Sequence, residues 1–250
     1  MSRYRVMTHM VAGYPDRERS LAVAKGLIEG GAAYLEIQFP FSDPSADGPV
    51  IQAACGEALS AGFSLDDGFA LVSEVAGMSD TPIFIMSYAN PVFTLGVEAF
   101  VARARKAGAT GLIVPDLTID ADEGLYAAGR EAGLAVVPVL VPTVSPKRLE
   151  SLLKAEAEYL YIALRRGITG QETQIADETV AFLDRCAAGG AKLFAGFGIR
   201  NPEQIALLSP HVEAAVVGSA LVEVITQSTG GTADDIYRDI NRETRRLCGV

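Results

Sequence analysis

The sequence predicts a single-domain (β/α)8 TIM barrel of parallel strands, with an extra helix after strand two. Three observations carry that prediction. Short β-branched or apolar runs alternate with longer stretches of helical periodicity, the pattern of repeated βα units around a parallel sheet. The chain has 250 residues, 49% of them hydrophobic, which suits one such barrel and fills a sizeable core. A doubly wound open sheet would carry a Gly-rich turn after its first strand, and Gly13-Tyr14-Pro15-Asp16 reads instead as an ordinary turn. No linker-like or low-complexity stretch divides the chain, so residues 1–250 are expected to form one domain.

Val6–Ala12 is the first strand, and Arg17–Glu29 the first helix, stopped by Gly30-Gly31 in the left-handed position that favours glycine. Tyr34–Gln38 is strand two, and Val50–Leu59 is the inserted helix. Leu65–Val75 leads to strand three, Pro82–Met86, and Val97–Ala107 ends at Gly108 before strand four, Gly111–Val114. Asp120–Ala132 ends at Gly133 before strand five, Ala135–Leu140. Ser145-Pro146 and Asn201-Pro202 each place a capping side chain before a first-turn proline, which starts the helices Pro146–Lys154 and Pro202–Leu208. Strand six is Tyr159–Ala163, followed by the helix Asp177–Ala188 with its stop at Gly189-Gly190. Strands seven and eight are Leu193–Gly196 and Ala214–Val217, and Ala233–Leu247 is the final helix.

Composition excludes several partners. A net charge of −10 argues against nucleic acid, whose phosphate backbone needs a basic face. No uncharged apolar run reaches the roughly 18 residues that span a bilayer, and the N-terminus leads into too short an apolar stretch for a signal peptide. Cys55, Cys186 and Cys248 are odd in number and widely spaced, which fits reduced thiols in the cytoplasm rather than a disulfide framework or a zinc site. With only His9 and His211 available, and no acidic cluster that calls for Mg²⁺, no metal is expected.

In such a barrel the working face lies where strands end and βα loops begin. The residues collected there are His9, Glu36, Gln38, Asp47, Tyr88, Asn90, Asp116, Tyr161, Thr169, Gly170, Gly198, Gly218 and Ser219. Glu36 stands near the end of a strand buried on both faces, where an ionised carboxylate is costly, and Asp47 follows in a Pro/Gly-rich loop. Two such carboxyl groups are candidates for proton transfer; equally, backbone N–H groups would satisfy the Glu and the Asp would serve its turn. Gly167-Ile168-Thr169-Gly170, Gly196-Phe197-Gly198-Ile199 and Gly218-Ser219-Ala220 follow the last three strands. Glycine lets backbone N–H groups approach an anion, and a helix N-terminus adds a favourable dipole. One such loop is a tight turn; three in consecutive positions read as a phosphate cradle. All five lysines lie on helices, at helix ends or at a strand start, which disfavours Schiff-base chemistry.

With these residues in view, the chain resembles the tryptophan synthase alpha subunit family. The matching segments are Gly13-Tyr14-Pro15-Asp16, Pro40-Phe41-Ser42-Asp43-Pro44-Ser45-Ala46-Asp47-Gly48-Pro49, Tyr88-Ala89-Asn90-Pro91 and Val114-Pro115-Asp116. Gly167-Ile168-Thr169-Gly170, Gly196-Phe197-Gly198-Ile199 and Val217-Gly218-Ser219-Ala220 complete them, in order over nearly the whole chain. The resemblance implies a lyase that splits indole-3-glycerol phosphate into indole and glyceraldehyde 3-phosphate by retro-aldol cleavage. It implies Glu36 as general acid and base, Asp47 as the partner of the indole nitrogen, and Tyr161 as a supporting tyrosine. Gly170, Gly198, Gly218 and Ser219 match the phosphate-binding positions, and Thr169 matches a residue that closes the site. The family works with a beta subunit in an alpha2-beta2 complex; Asp43, Pro44 and Asn90 match the surface that faces that partner. Pyridoxal phosphate belongs to the beta subunit, so no cofactor is expected in this chain.

Some positions depart from the family pattern. Gln38 stands where glycine is usual, on the same side of its strand as Glu36. His9 takes a strand-one position that is usually aromatic, and Leu164 and Arg166 flank Arg165 where small hydroxyl residues are common. These departures read either as compensated repacking or as His9 and Gln38 bonding to each other or to substrate. The family helix that plugs the barrel bottom is expected to be short or missing. The alternatives to an active lyase subunit are a weakly catalytic activator of a beta subunit, a free-standing indole-releasing lyase, and a phosphosugar isomerase on the same barrel.

Overall fold

The computed structural model describes residues 2–154, 157–164 and 175–250. Among the described residues nine parallel strand segments form one sheet: β1 (Val6–Val11), β2 (Tyr34–Gln38), β3 (Ile83–Met86), β4 (Gly111–Ile113), β5 (Ala135–Val137), β6 (Val139–Leu140), β7 (Tyr159–Ala163), β8 (Lys192–Gly196) and β9 (Ala214–Val217). Their order is β5-β4-β3-β2-β1-β9-β8-β7-β6. β5 and β6 are the two halves of the expected fifth strand, parted at Pro138. Proline has no N–H to donate to a ladder, but its carbonyl still accepts from Tyr161 N at 2.9 Å. β5 pairs with β4 and β6 with β7, so the broken strand joins the two ends of the sheet into the expected barrel.

Eleven helices are described around it: α1 (Arg17–Glu29), α2 (Pro49–Ser60), α3 (Leu65–Ala76), α4 (Ala89–Leu95), α5 (Val97–Lys106), α6 (Leu125–Ala132), α7 (Pro146–Leu153), α8 (Asp177–Ala187), α9 (Pro202–Leu208), α10 (Ser219–Gln227) and α11 (Ala233–Cys248). α2 is the insertion after strand two, opened by Pro49 in its first turn. α6 starts five residues later than expected, because Glu123 (φ 51°) and Gly124 (φ 88°) are both left-handed and interrupt the helix. α4 is a helix that the sequence pattern does not predict. Its N-terminus has no local side-chain cap; instead Ala89 N donates to both carboxylate oxygens of Asp116, at 2.9 and 3.1 Å. A cap from a residue 27 positions away leaves no local signature. α11 begins with a capping box between Thr232 and Asp235 and lies against α1. Backbones approach there because a Cβ on Gly26 would meet Tyr237 O at 2.9 Å and one on Gly30 would meet Thr244 Cβ at 2.5 Å.

The barrel interior is built in layers by the period-two alternation of strand side chains. Tyr34, Phe84, Tyr159 and Phe194 form an aromatic floor near the strand starts, with Phe194 5.0 Å from Tyr34, 5.2 Å from Phe84 and 5.0 Å from Tyr159, centroid to centroid. Two residues further along the same strands come Glu36, Met86, Tyr161 and Gly196. The floor therefore supports the layer that carries the chemistry. β1 registers Met7 against Tyr34, His9 against Glu36 and Val11 against Gln38.

Candidate active site

A cleft of about 610 Å³ of empty space, its open mouth included, lies above that floor at the carboxyl ends of the strands. Glu36 and Asp47 are on its wall with Tyr161, and Gly198, Gly218 and Ser219 are on its rim. The expected acids and the described part of the expected anion cradle thus share one cavity. Thr169 and Gly170, with Arg165, Arg166 and the rest of their loop, lie outside the described residues.

Each carboxylate has its own partners. His9 Nδ1 lies 2.7 Å from Glu36 Oε2, both side chains being about 95% buried. Facing a carboxylate oxygen, Nδ1 is assigned as the proton-bearing nitrogen. Burial drives the His9 imidazole toward its neutral form, but the hydrogen bond and charge of Glu36, helped by Asp47, outweigh it and raise its pKa. Nε2 of the same ring is buried with no partner among the described residues. Asp47 Oδ2 accepts from Gln38 Nε2 and from Tyr88 OH, both at 2.8 Å. Tyr88 OH in turn accepts from Ala46 N at 3.0 Å, and Gln52 Nε2 donates to the Asp47 carbonyl at 2.8 Å. Burial pushes the Asp47 carboxyl above its ordinary value against the opposing pull of His9, Tyr88 and Gln38.

The sequence-level suggestion that His9 and Gln38 bond to each other is therefore corrected. They sit two rungs apart on adjacent strands, and each holds a different carboxylate. Tyr88 was placed at the barrel mouth by its sequence position, but its bond to Asp47 depends on how the loop after β2 folds back.

Tyr161 stays a neutral phenol, because burial first, and then the charges of Glu36 and Asp47, hold it well above the ordinary phenol value. Gly196 makes room for it, since a Cβ there would meet Tyr161 OH at 2.9 Å. Phe197 takes φ 81° and Gly198 φ 77°; positive φ is uncommon for a bulky residue, and this turn brings the Gly198 backbone to the cleft. Gly218 is the N-cap of α10, whose first turn has no side-chain cap and so presents backbone N–H groups that lack intrahelical partners. A Cβ on Gly218 would sit 3.6 Å from His9 Cβ and from Ile51 Cδ1, so its backbone packs beside strand one and α2 at the edge of the cleft. Cys55 lies beneath Gln38, its Sγ 3.5 Å from Gln38 Nε2; burial pushes its thiol up to about 12, which makes it an inert wall.

Of the three residues expected to face a partner, Asp43 and Asn90 are exposed and Pro44 is buried. That corrects Pro44 as a surface residue: the turn folds over it, with Asp47 N donating to Pro44 O at 3.0 Å and Ser45 N to Asp43 O at 2.8 Å. Among the described residues no helix is long and apolar enough to cross a membrane, and no group of three His, Cys, Asp or Glu side chains is placed to hold a metal ion.

Comparison with known proteins bears on this site as a whole. The family model described as "Tryptophan synthase alpha chain" matches residues 1–246. The tryptophan synthase alpha chain of Helicobacter hepaticus is 38% identical over 229 residues, 89% of this chain and 86% of that one. That of Caulobacter sp. strain K31 is 40% identical over 221 residues, covering 88% and 80%. Among solved structures, a chain of the tryptophan synthase complex from Pyrococcus furiosus superposes with a TM-score of 0.87 at 29% identity, over 100% of both chains. A chain of the Mycobacterium tuberculosis tryptophan synthase does so with a TM-score of 0.87 at 31% identity, over 99% of this chain and 92% of that one. The family model over residues 1–246 and these relatives at 38–40% identity over most of the chain, together with the matching barrel, place the chain in the tryptophan synthase alpha chain family.

Proposed function

We propose that Glu36, Asp47 and Tyr161 are the residues with which this alpha chain performs its lyase reaction, the retro-aldol cleavage of indole-3-glycerol phosphate to indole and glyceraldehyde 3-phosphate in tryptophan biosynthesis. The observation that carries this assignment is the sharing of one cleft by the two carboxylates and by Gly198, Gly218 and Ser219. One ligand with an aromatic ring at one end and a phosphate at the other spans them.

The chemistry needs a proton delivered to the ring carbon C3, charge on the ring nitrogen stabilised, and the adjacent glycerol hydroxyl deprotonated. Glu36 gives its proton to C3, and its carboxylate then takes the hydroxyl proton as the carbon–carbon bond breaks. Asp47 has both its donors on Oδ2, which leaves Oδ1 for the ring N–H and for the positive charge that develops there. Tyr161, kept as a neutral phenol, donates into the same space. Gly198, Gly218, Ser219 and the first turn of α10 receive the phosphate. Gly170 and Thr169 belong to this reading by family position, as a phosphate contact and a closing residue.

For the partner, we place the beta subunit over the loop after β2 and the start of α4, where Asp43 and Asn90 are exposed. Pyridoxal phosphate then belongs to that partner, and the indole passes to it.

Release of indole from indole-3-glycerol phosphate by the purified chain, with and without a beta subunit, tests this reading. Indole released in either case supports it, and none in both contradicts it. Two variants test the assignments. Ser219→Asp sets a negative charge in the cradle and is expected to weaken binding of an indole-alkyl phosphate at least tenfold, measured by calorimetry; equal affinity would remove Ser219 from the site. Gln38→Gly takes one of two donors from Asp47. A hydrogen bond to a charged group is worth about 1.5–3 kcal/mol, so kcat/KM for the indole substrate is expected to fall roughly ten- to a hundredfold. Unchanged kinetics would make the amide mere packing.

A further inference from the structure

The buried pair His9–Glu36 is an arrangement that the reaction itself does not explain. A lone Glu has to serve as acid and base in turn, yet here its Oε2 is 2.7 Å from an imidazole nitrogen. The contact is built into the fold, because His9 and Glu36 are direct partners in the β1–β2 register and both side chains point into the cleft. The ring also has a second nitrogen with no partner among the described residues, so nothing else there fixes which state the ring takes. The titratable groups facing His9 are Glu36 on β2, Asp47 on the loop beyond it, and Tyr161 across the barrel on β7. Behind Asp47 stand Tyr88 and Cys55, while β9 contributes Val216 and the start of α10 Gly218 and Ser219 to the cleft, none of them titratable.

We infer that His9 is a positioning residue and proton partner for Glu36, the two side chains holding one proton between Nδ1 and Oε2 that Glu36 spends on the substrate ring. This rests on the lyase reading above and adds a residue to it. The balance closes. The shared proton passes from Glu36 to ring C3, and the glycerol hydroxyl gives its proton back to the Glu36 carboxylate. The C3–glycerol bond breaks with its electron pair returning to the ring, and the pair ends with the single proton it began with. Nothing is oxidised or reduced.

Such a pair titrates as a unit rather than as two residues. The form with one proton is active, and the form with none is not, so activity falls as pH rises through the ionisation of the pair. The net upward displacement of His9, carried by Glu36 against burial, sets that fall above the ordinary histidine value of about 6.5. Without the imidazole the shared proton has lost its nitrogen partner, and the alkaline limb moves to lower pH.

The chain has only two histidines, and His211 lies far from the cleft in a hydrogen bond to Asp184, so ¹⁵N-histidine spectra of the whole protein resolve His9 directly. In the wild type its midpoint is expected above 6.5, and in Glu36→Gln at least one pH unit lower, a tenfold loss of proton affinity. In His9→Phe the alkaline limb of kcat against pH is expected to move down by about one unit, with about a tenfold loss of kcat at neutral pH. His9→Gln keeps a donor without a titrating ring; it is expected to fold and to keep KM near the wild-type value while showing the same displaced limb. A His9 midpoint unmoved by Glu36→Gln, or a limb unmoved in both His9 variants, would overturn the inference. Should the wild type release no indole, the reaction is misassigned, while the ¹⁵N titration still decides the pairing.

Discussion

Glu36→Gln is expected to lower indole formation by about 10²–10⁴-fold, the usual contribution of a positioned general acid–base, while leaving affinity for an indole-alkyl phosphate nearly intact. The substitution keeps the shape of the side chain, and its carbonyl oxygen still accepts from His9 Nδ1. It removes only the group that carries a proton to the ring and takes one from the hydroxyl. The proposed phosphate contacts lie beyond the ends of β8 and β9 and at the start of α10, not on β2, so binding and turnover separate. Steady-state assay of indole together with calorimetry of the phosphate ligand checks both halves. A loss of less than tenfold in turnover would remove Glu36 from its role.

Phe194→Ala is expected to cost about 3–5 kcal/mol of stability, the range for emptying a large aromatic from a packed core. Phe194 is fully buried and lies 5.0, 5.2 and 5.0 Å, centroid to centroid, from Tyr34, Phe84 and Tyr159, the other three rings of the floor. The surrounding strands cannot collapse into the space, because their hydrogen-bond ladders hold the barrel open. Urea denaturation gives the number, read as a lower midpoint at unchanged slope. A cost under 1 kcal/mol would mean that the floor is loosely packed and that the layer above it is held from elsewhere.

How much of this was legible beforehand depends on whether the signal was local. β2, β7 and β9 and helices α1 and α9 fall on their expected bounds, because an apolar run between turn residues, or a cap followed by proline, is a property of neighbouring residues. The differences arise where distant residues decide. Asp116 caps α4 from another loop, and Pro138 interrupts one strand without preventing closure. Glu123 and Gly124 delay α6 through their backbone conformation.

The site divides in the same way. Strand ends point to the mouth in any parallel barrel, so the positions of Glu36, Tyr161, Gly198, Gly218 and Ser219 follow once the strands are known. What each carboxylate touches does not. It takes the β1–β2 register to set His9 opposite Glu36, and the fold of the loop after β2 to bring Asp47 under Gln38 and Tyr88. His9 and Gln38 stood out in sequence as departures from a family pattern, but chemistry alone did not say which acid each would hold. Pro44 shows the same limit in reverse: a turn residue in a polar loop, buried by the fold of that loop.

One ligand bridging an acid pair and an anion-holding rim is the claim on which the account turns. The measurement that tests it most directly is a crystal structure of this chain with an indole-alkyl phosphate that lacks the cleavable hydroxyl. The account predicts the indole ring between Glu36 and Asp47, its N–H on Asp47 Oδ1, and the phosphate on the backbone of Gly198, Gly218 and Ser219. A phosphate bound elsewhere, or a ring lying away from Glu36, would contradict it.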